Sequence, residues 1–93
     1  MTEKYIEQKL RALTKERGGL ALKFVSPGTD GVPDRLVLMP MGKMAFVETK
    51  ALGKKMRALQ QRRAEQLKRL GFKVYLVDDT KMIGGILDEI QSS

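Results

Sequence analysis

Apolar positions change period several times along the chain, and each change marks an element. From Thr2 to about Arg17 they recur at helical spacing, with Ile6, Leu10 and Leu13 on one stripe. Thr2 is an N-capping residue, Glu3 suits the positive end of a helix, and Gly18-Gly19 supplies the stop. Leu20 to Val25 alternates, with Leu22 and Phe24 on one face, which predicts a strand. Ser26 to Pro33 is a loop by its Ser, Pro, Gly and Asp content. Asp34–Met39 and Lys43–Lys50 predict the two strands of a hairpin. Lys54–Leu70 fits a second helix closed by Gly71, and Phe72–Val77 a short strand buried on both faces. Asp78-Asp79-Thr80 offers caps for a last helix that turns Met82, Ile83, Ile86, Leu87 and Ile90 inward. Gly84-Gly85 weakens that helix by about 1 kcal/mol per Gly relative to Ala. The order α-β-β-β-α-β-α predicts one α/β (α+β) domain over residues 1–93, a mixed sheet flanked by helices.

The hairpin turn, Met39-Pro40-Met41-Gly42-Lys43, carries the most information. Pro40 suits the first central position of a type I turn, and Gly42 the left-handed position of a three-residue loop with a G1 bulge. That loop sets Met39 opposite Lys43, Leu38 opposite Met44, Leu36 opposite Phe46 and Asp34 opposite Glu48. Directly opposed side chains share a face, so an apolar patch ends in two facing carboxylates. Lys50, two residues beyond Glu48, points the same way. Like charges so placed repel, and a divalent cation between them removes the penalty. A two-residue turn would instead set Asp34 opposite Thr49.

Composition narrows the chemistry. With neither Cys nor His in 93 residues, there is no disulfide, thiolate site, imidazole ligand or His-based catalytic arrangement. A metal would be held by oxygen, which favours a hard ion such as Mg²⁺ or Mn²⁺. Eighteen Lys and Arg against eleven Asp and Glu give a net charge of +7, suited to a polyanion. No signal peptide is evident after Met1-Thr2-Glu3-Lys4, and no apolar run approaches a membrane span, so an intracellular, cytoplasmic protein is expected, in a bacterial or phage-infected cell.

Gly-x-Pro-Asp at 31–34 followed by Glu-x-Lys at 48–50 resembles the PD-(D/E)XK nuclease superfamily, and most closely its virus-type replication-repair (VRR-NUC) branch. The likeness runs from Glu7 to about Val77 and includes the element order of the restriction-endonuclease-like core. It implies a Mg²⁺- or Mn²⁺-dependent endonuclease. Asp34, Glu48 and the Thr49 carbonyl would hold the metal, and Lys50 would orient the attacking water and stabilise charge on the phosphate. The branch also carries a Gln early in the helix after the Glu-x-Lys strand, and Gln60 matches it, eleven residues before Gly71, with Gln61 as the neighbour to rule out. Independently, Met56, Gln60, Ala64 and Leu67 share one helical face. Arg57-Ala58-Leu59 replaces the Ser-Pro opening common in relatives, which leaves the helix start open. A Glu on the first helix is a further family feature: Glu7 is the candidate and Glu3 its competitor.

DNA contact is expected from Lys23 and from the second helix and its approach, where Lys54, Lys55, Arg57, Arg62 and Arg63 could neutralise phosphates. Scattered aromatics give no platform for stacking single-stranded bases. Relatives of this size resemble dimeric Holliday-junction resolvases, which implies a homodimer acting on branched or four-way-junction DNA. A nicking or restriction-type duplex nuclease, and a non-catalytic basic DNA-binding module, are the alternatives.

Overall fold

The computed structural model describes all 93 residues. Helix α1 (Glu3–Glu16) leads into strand β1 (Leu20–Lys23), then β2 (Arg35–Met39) and β3 (Lys43–Thr49) joined by a short 3-10 turn (Pro40–Gly42). Helix α2 (Ala58–Arg69), strand β4 (Val74–Val77), a second 3-10 turn (Thr80–Met82) and helix α3 (Ile83–Ser92) complete the chain. The four strands lie in the order β1-β2-β3-β4, the first two pairings antiparallel and β3-β4 parallel, so the domain is α+β with a mixed sheet.

The hairpin register runs from Met39↔Lys43 through Leu36↔Phe46 to Arg35↔Val47. Three loop residues set it, but the turn is not type I. Met41 stands at φ 71, ψ 21 and Gly42 at φ 74, so two successive residues are left-handed. Loop length rather than turn type decides which residues face each other.

Alternation divides the sheet into two unequal faces. Val37, Met39, Ala45 and Val47 point to the side covered by α1 and α3, where they join Ile6, Leu10, Val77, Ile83, Ile86, Leu87 and Ile90 in the core. Each fully buried aliphatic side chain there contributes about 1.5–3 kcal/mol. The Thr2 hydroxyl accepts from Tyr5 N–H at 3.1 Å and starts α1 as expected. Leu36, Leu38, Met44 and Phe46 occupy the other face and are only half-buried, because α2 covers just the β3–β4 end. Phe46 sits between Phe24 and Phe72, each ring centre 5.7 Å away.

Several expected boundaries move. Helix α2 begins at Ala58, not Lys54, because the Gln60 side chain caps the Arg57 N–H and so sets the first turn there. Strand β4 is shorter than predicted and is a sheet edge; Val74 and Val77 are buried while Tyr75 and Leu76 are only half covered. Met82 is 40% exposed, since it ends a 3-10 turn whose tighter winding carries it off the α3 stripe. Leu22 is also exposed, on the uncovered part of the sheet.

Candidate active site

The site forms where the β2–β3 ladder stops. β2 starts at Arg35, and the paired register ends at Arg35↔Val47, one residue short of Asp34 and Glu48. Beyond that point side chains replace main-chain partners. The Asp34 N–H donates to Glu48 Oε1 at 3.1 Å and the Thr49 N–H to Asp34 Oδ1 at 3.0 Å. The Thr49 hydroxyl donates to Asp34 Oδ2 at 2.6 Å, so one residue grips both oxygens of the carboxylate.

Glu48 is 4% exposed and three groups hold it: Asp34 N–H, the Gln60 amide at 3.0 Å from Oε2, and Lys50 Nζ at 3.2 Å from the same oxygen. Gln60 is buried because it faces the sheet; its Oε1 accepts from Arg57 N–H at 2.9 Å, which fixes which end of the amide meets Glu48. Gln61 is exposed and donates to the Met56 carbonyl at 2.8 Å. Of the two glutamines, only Gln60 reaches the site.

On the other side, α1 brings Glu7 to 3.3 Å from the Thr49 hydroxyl. Carboxylate oxygens of Glu3, Glu7 and Asp34 all lie within 4.8 Å of one another, so α1 presents both of its candidate acids. Arg35 had escaped notice in the sequence. Its guanidinium, 12% exposed, lies 3.4 Å from Glu7 Oε2, and its buried Nε has no partner. The signal was available, since odd-numbered residues of β2 face the core and a cation there needs an anion. The Thr49 side chain was equally overlooked, only its carbonyl having been assigned.

Burial pushes the Asp34 carboxyl above its ordinary range; Glu7 adds to the rise, while the two Thr49 bonds and Arg35 oppose it. Burial likewise raises Glu48, the Asp34 charge raises it further, and Lys50 pulls it back. Both carboxyls are thus costlier to ionise than exposed ones. Two desolvated carboxylates and no nitrogen or sulfur ligand suit a hard divalent ion such as Mg²⁺ or Mn²⁺.

Asp34 is reached through the Ser26–Pro33 loop, which rests on α2. Gly31 has φ +82, and a Cβ there would lie 2.9 Å from Leu59 Cγ and 3.0 Å from the Leu59 carbonyl oxygen. Both conformation and space therefore demand Gly at the head of Gly-x-Pro-Asp. Among the basic residues, Lys23, Lys54, Lys55, Arg57 and Arg62 are exposed, whereas Arg63 is half-buried. No helix is long and apolar enough to cross a membrane.

No protein-family model matches the chain. A protein of Acyrthosiphon pisum secondary endosymbiont phage 1, named "Putative nuclease p44", is 49% identical over 76 residues, which is 82% of this chain and 82% of that protein. A solved structure described as a VRR_NUC domain superposes with a TM-score of 0.86 at 28% identity, covering 95% of this chain and 97% of the other. Identity of that extent, together with a shared fold from end to end, carries more than the two short motifs could: the chain belongs to the VRR-NUC family of nucleases.

Proposed function

We propose that the protein is a Mg²⁺- or Mn²⁺-dependent, structure-selective DNA endonuclease of Holliday-junction-resolvase type. The observation that carries the reading is the pair of desolvated carboxylates, Asp34 and Glu48, joined across the end of the hairpin with Lys50 3.2 Å from Glu48. Asp34, Glu48 and the Thr49 carbonyl hold the ion. Bound there, it lowers the pKa of a water and stabilises negative charge on the scissile phosphate. Lys50 adds a fixed positive group beside those oxygens in a site shielded from solvent, where such a charge acts most strongly. Gln60 keeps Glu48 oriented, and Glu7 lies where it can take an outer water or metal contact.

The exposed cations Lys23, Lys54, Lys55, Arg57 and Arg62 bind the sugar-phosphate backbone. The protein works in the cytoplasm as a homodimer, so that two sites meet the two strands of a four-way junction. The exposed apolar Leu20 and Leu22, on a domain this small, support a second copy.

Cleavage of a four-way junction, a flap and a linear duplex, each with Mg²⁺ and with chelator, tests the reading beside a mass determination in solution. A dimer that cuts the junction best and only with metal is expected. Failure of the wild type to cut any of the three, with tight binding retained, would overturn the enzyme assignment. Lys50→Ala should abolish cleavage and spare binding; normal cutting by this variant rules out the role given to Lys50.

A further inference from the structure

Helix α2 carries a run of cations that invites a single explanation, yet one of them is engaged differently. Arg62 and Arg69 extend into solvent and make no hydrogen bond or ion pair with the protein. Arg63 instead turns toward the 26–33 loop. Its Nε donates to the Asp30 carbonyl at 3.0 Å and its Nη1 to Gln66 Oε1 at 2.6 Å. Gln66, three residues on, thereby fixes the direction in which the guanidinium points.

Asp30 belongs to the loop that delivers Asp34. In that loop Gly28 and Gly31 both occupy left-handed backbone. Within it, one main-chain bond, Thr29 N–H to the Ser26 carbonyl at 3.2 Å, supplies internal order. It docks on α2, where Leu59 fits against Gly31 and Arg63, one turn later on the same helical face, takes the Asp30 carbonyl. Gln60, next to Leu59 on this turn, holds Glu48. One rigid helix therefore references both carboxylate-bearing segments, and a metal site needs its ligands held to about 0.5 Å.

We propose that Arg63 is a positioning residue for Asp34, fastening the 26–33 loop to α2, and is not a phosphate contact. This rests on the reading of Asp34 and Glu48 as metal ligands. The two roles make opposite predictions. A phosphate contact contributes about 0.9 to the slope of log affinity against log salt, and its removal leaves the metal site untouched. Loss of outer support typically weakens metal affinity or activity by about 10–100-fold and leaves the salt slope alone.

The experiment compares wild type, Arg63→Ala, Arg63→Lys and Arg62→Ala. Mn²⁺ affinity is measured by calorimetry, junction binding by a salt titration in chelator, and amide exchange over residues 28–34 without metal. Arg63→Ala should bind Mn²⁺ about ten-fold or more weakly, exchange faster over the loop and keep the wild-type salt slope. Arg63→Lys keeps the charge but reaches only one of the two acceptors, so it should show the same defects in milder form; it also serves if the alanine variant fails to fold. Arg62→Ala should lose about one unit of slope and keep its Mn²⁺ affinity. A fall of about one unit in slope for Arg63→Ala, or unchanged Mn²⁺ affinity and loop exchange in both Arg63 variants, overturns the proposal. Absence of Mn²⁺ binding by the wild type would instead sink the metal-site reading, and the exchange data would still decide whether Arg63 tethers the loop.

Discussion

Thr49, the middle residue of Glu-x-Lys, offers the sharpest test of how the site is held. Thr49→Val keeps the shape and removes the hydroxyl that donates to Asp34 Oδ2 at 2.6 Å. A hydrogen bond to a charged group contributes about 1.5–3 kcal/mol, and the methyl that replaces the buried hydroxyl returns about 0.8 kcal/mol. The expected net loss is about 1–2 kcal/mol, a fall in melting temperature of roughly 4–16 °C for a domain of this size. Thr49→Ser makes the reverse change: it keeps the hydroxyl and opens a methyl-sized gap at a fully buried position, at a cost of about 1 kcal/mol. Stability alone will therefore not separate the two variants. Function should, because only valine frees one oxygen of the Asp34 carboxylate. Thermal melts, Mn²⁺ calorimetry and single-turnover cleavage on both variants give the comparison. Valine is expected to lose about 10–100-fold in metal affinity or cleavage rate and serine to stay near wild type. If valine binds metal and cuts like the wild type, or serine fails as badly, the hydroxyl does not position Asp34.

Gly31→Ala should cost about 3 kcal/mol, combining left-handed strain and crowding against Leu59 less a small gain from a stiffer unfolded chain. Denaturant titration of this variant and of Gly31→Ala with Leu59→Ala should show only partial rescue, because the Leu59 main chain remains in the way. The raised carboxyls make a pH prediction. Asp34 and Glu48 hold protons more tightly when folded than at their ordinary values of 3.8 and 4.5. Their contribution to stability is therefore complete below those values and is lost as pH rises through the raised ones. In chelator near neutral pH, Asp34→Asn should melt above wild type, and the advantage should shrink in acid; equal melting at both would refute the electrostatic account. Met41→Gly relieves a left-handed residue that is 91% exposed and far along the hairpin from the site. A gain of about 0.5–1 kcal/mol with unchanged cleavage is expected by thermal melt and activity assay.

Much of this protein was legible along the chain because it depends on short-range rules. Period and caps determine the element order, and the count of residues between Met39 and Lys43 determines the register down to Arg35↔Val47, which brings Asp34 and Glu48 to the same end of the hairpin. The absence of His and Cys determines that any metal ligand is oxygen. The local rules failed where the deciding contact lay elsewhere in the chain. The start of α2 follows from a side chain three residues inside it, and the sheet's second face remains half open because α2 is too short and too far to one side to cover it. Tertiary structure alone decided that Glu7 and Arg35, 28 residues apart, meet behind Asp34. It likewise decided that Arg63 faces Asp30, 33 residues away, while its neighbour Arg62 faces solvent. The physical reason is the same in each case. A charge pattern along a helix states what each side chain is, but only the packing of distant segments says which of those charges gains a partner and what it must then hold.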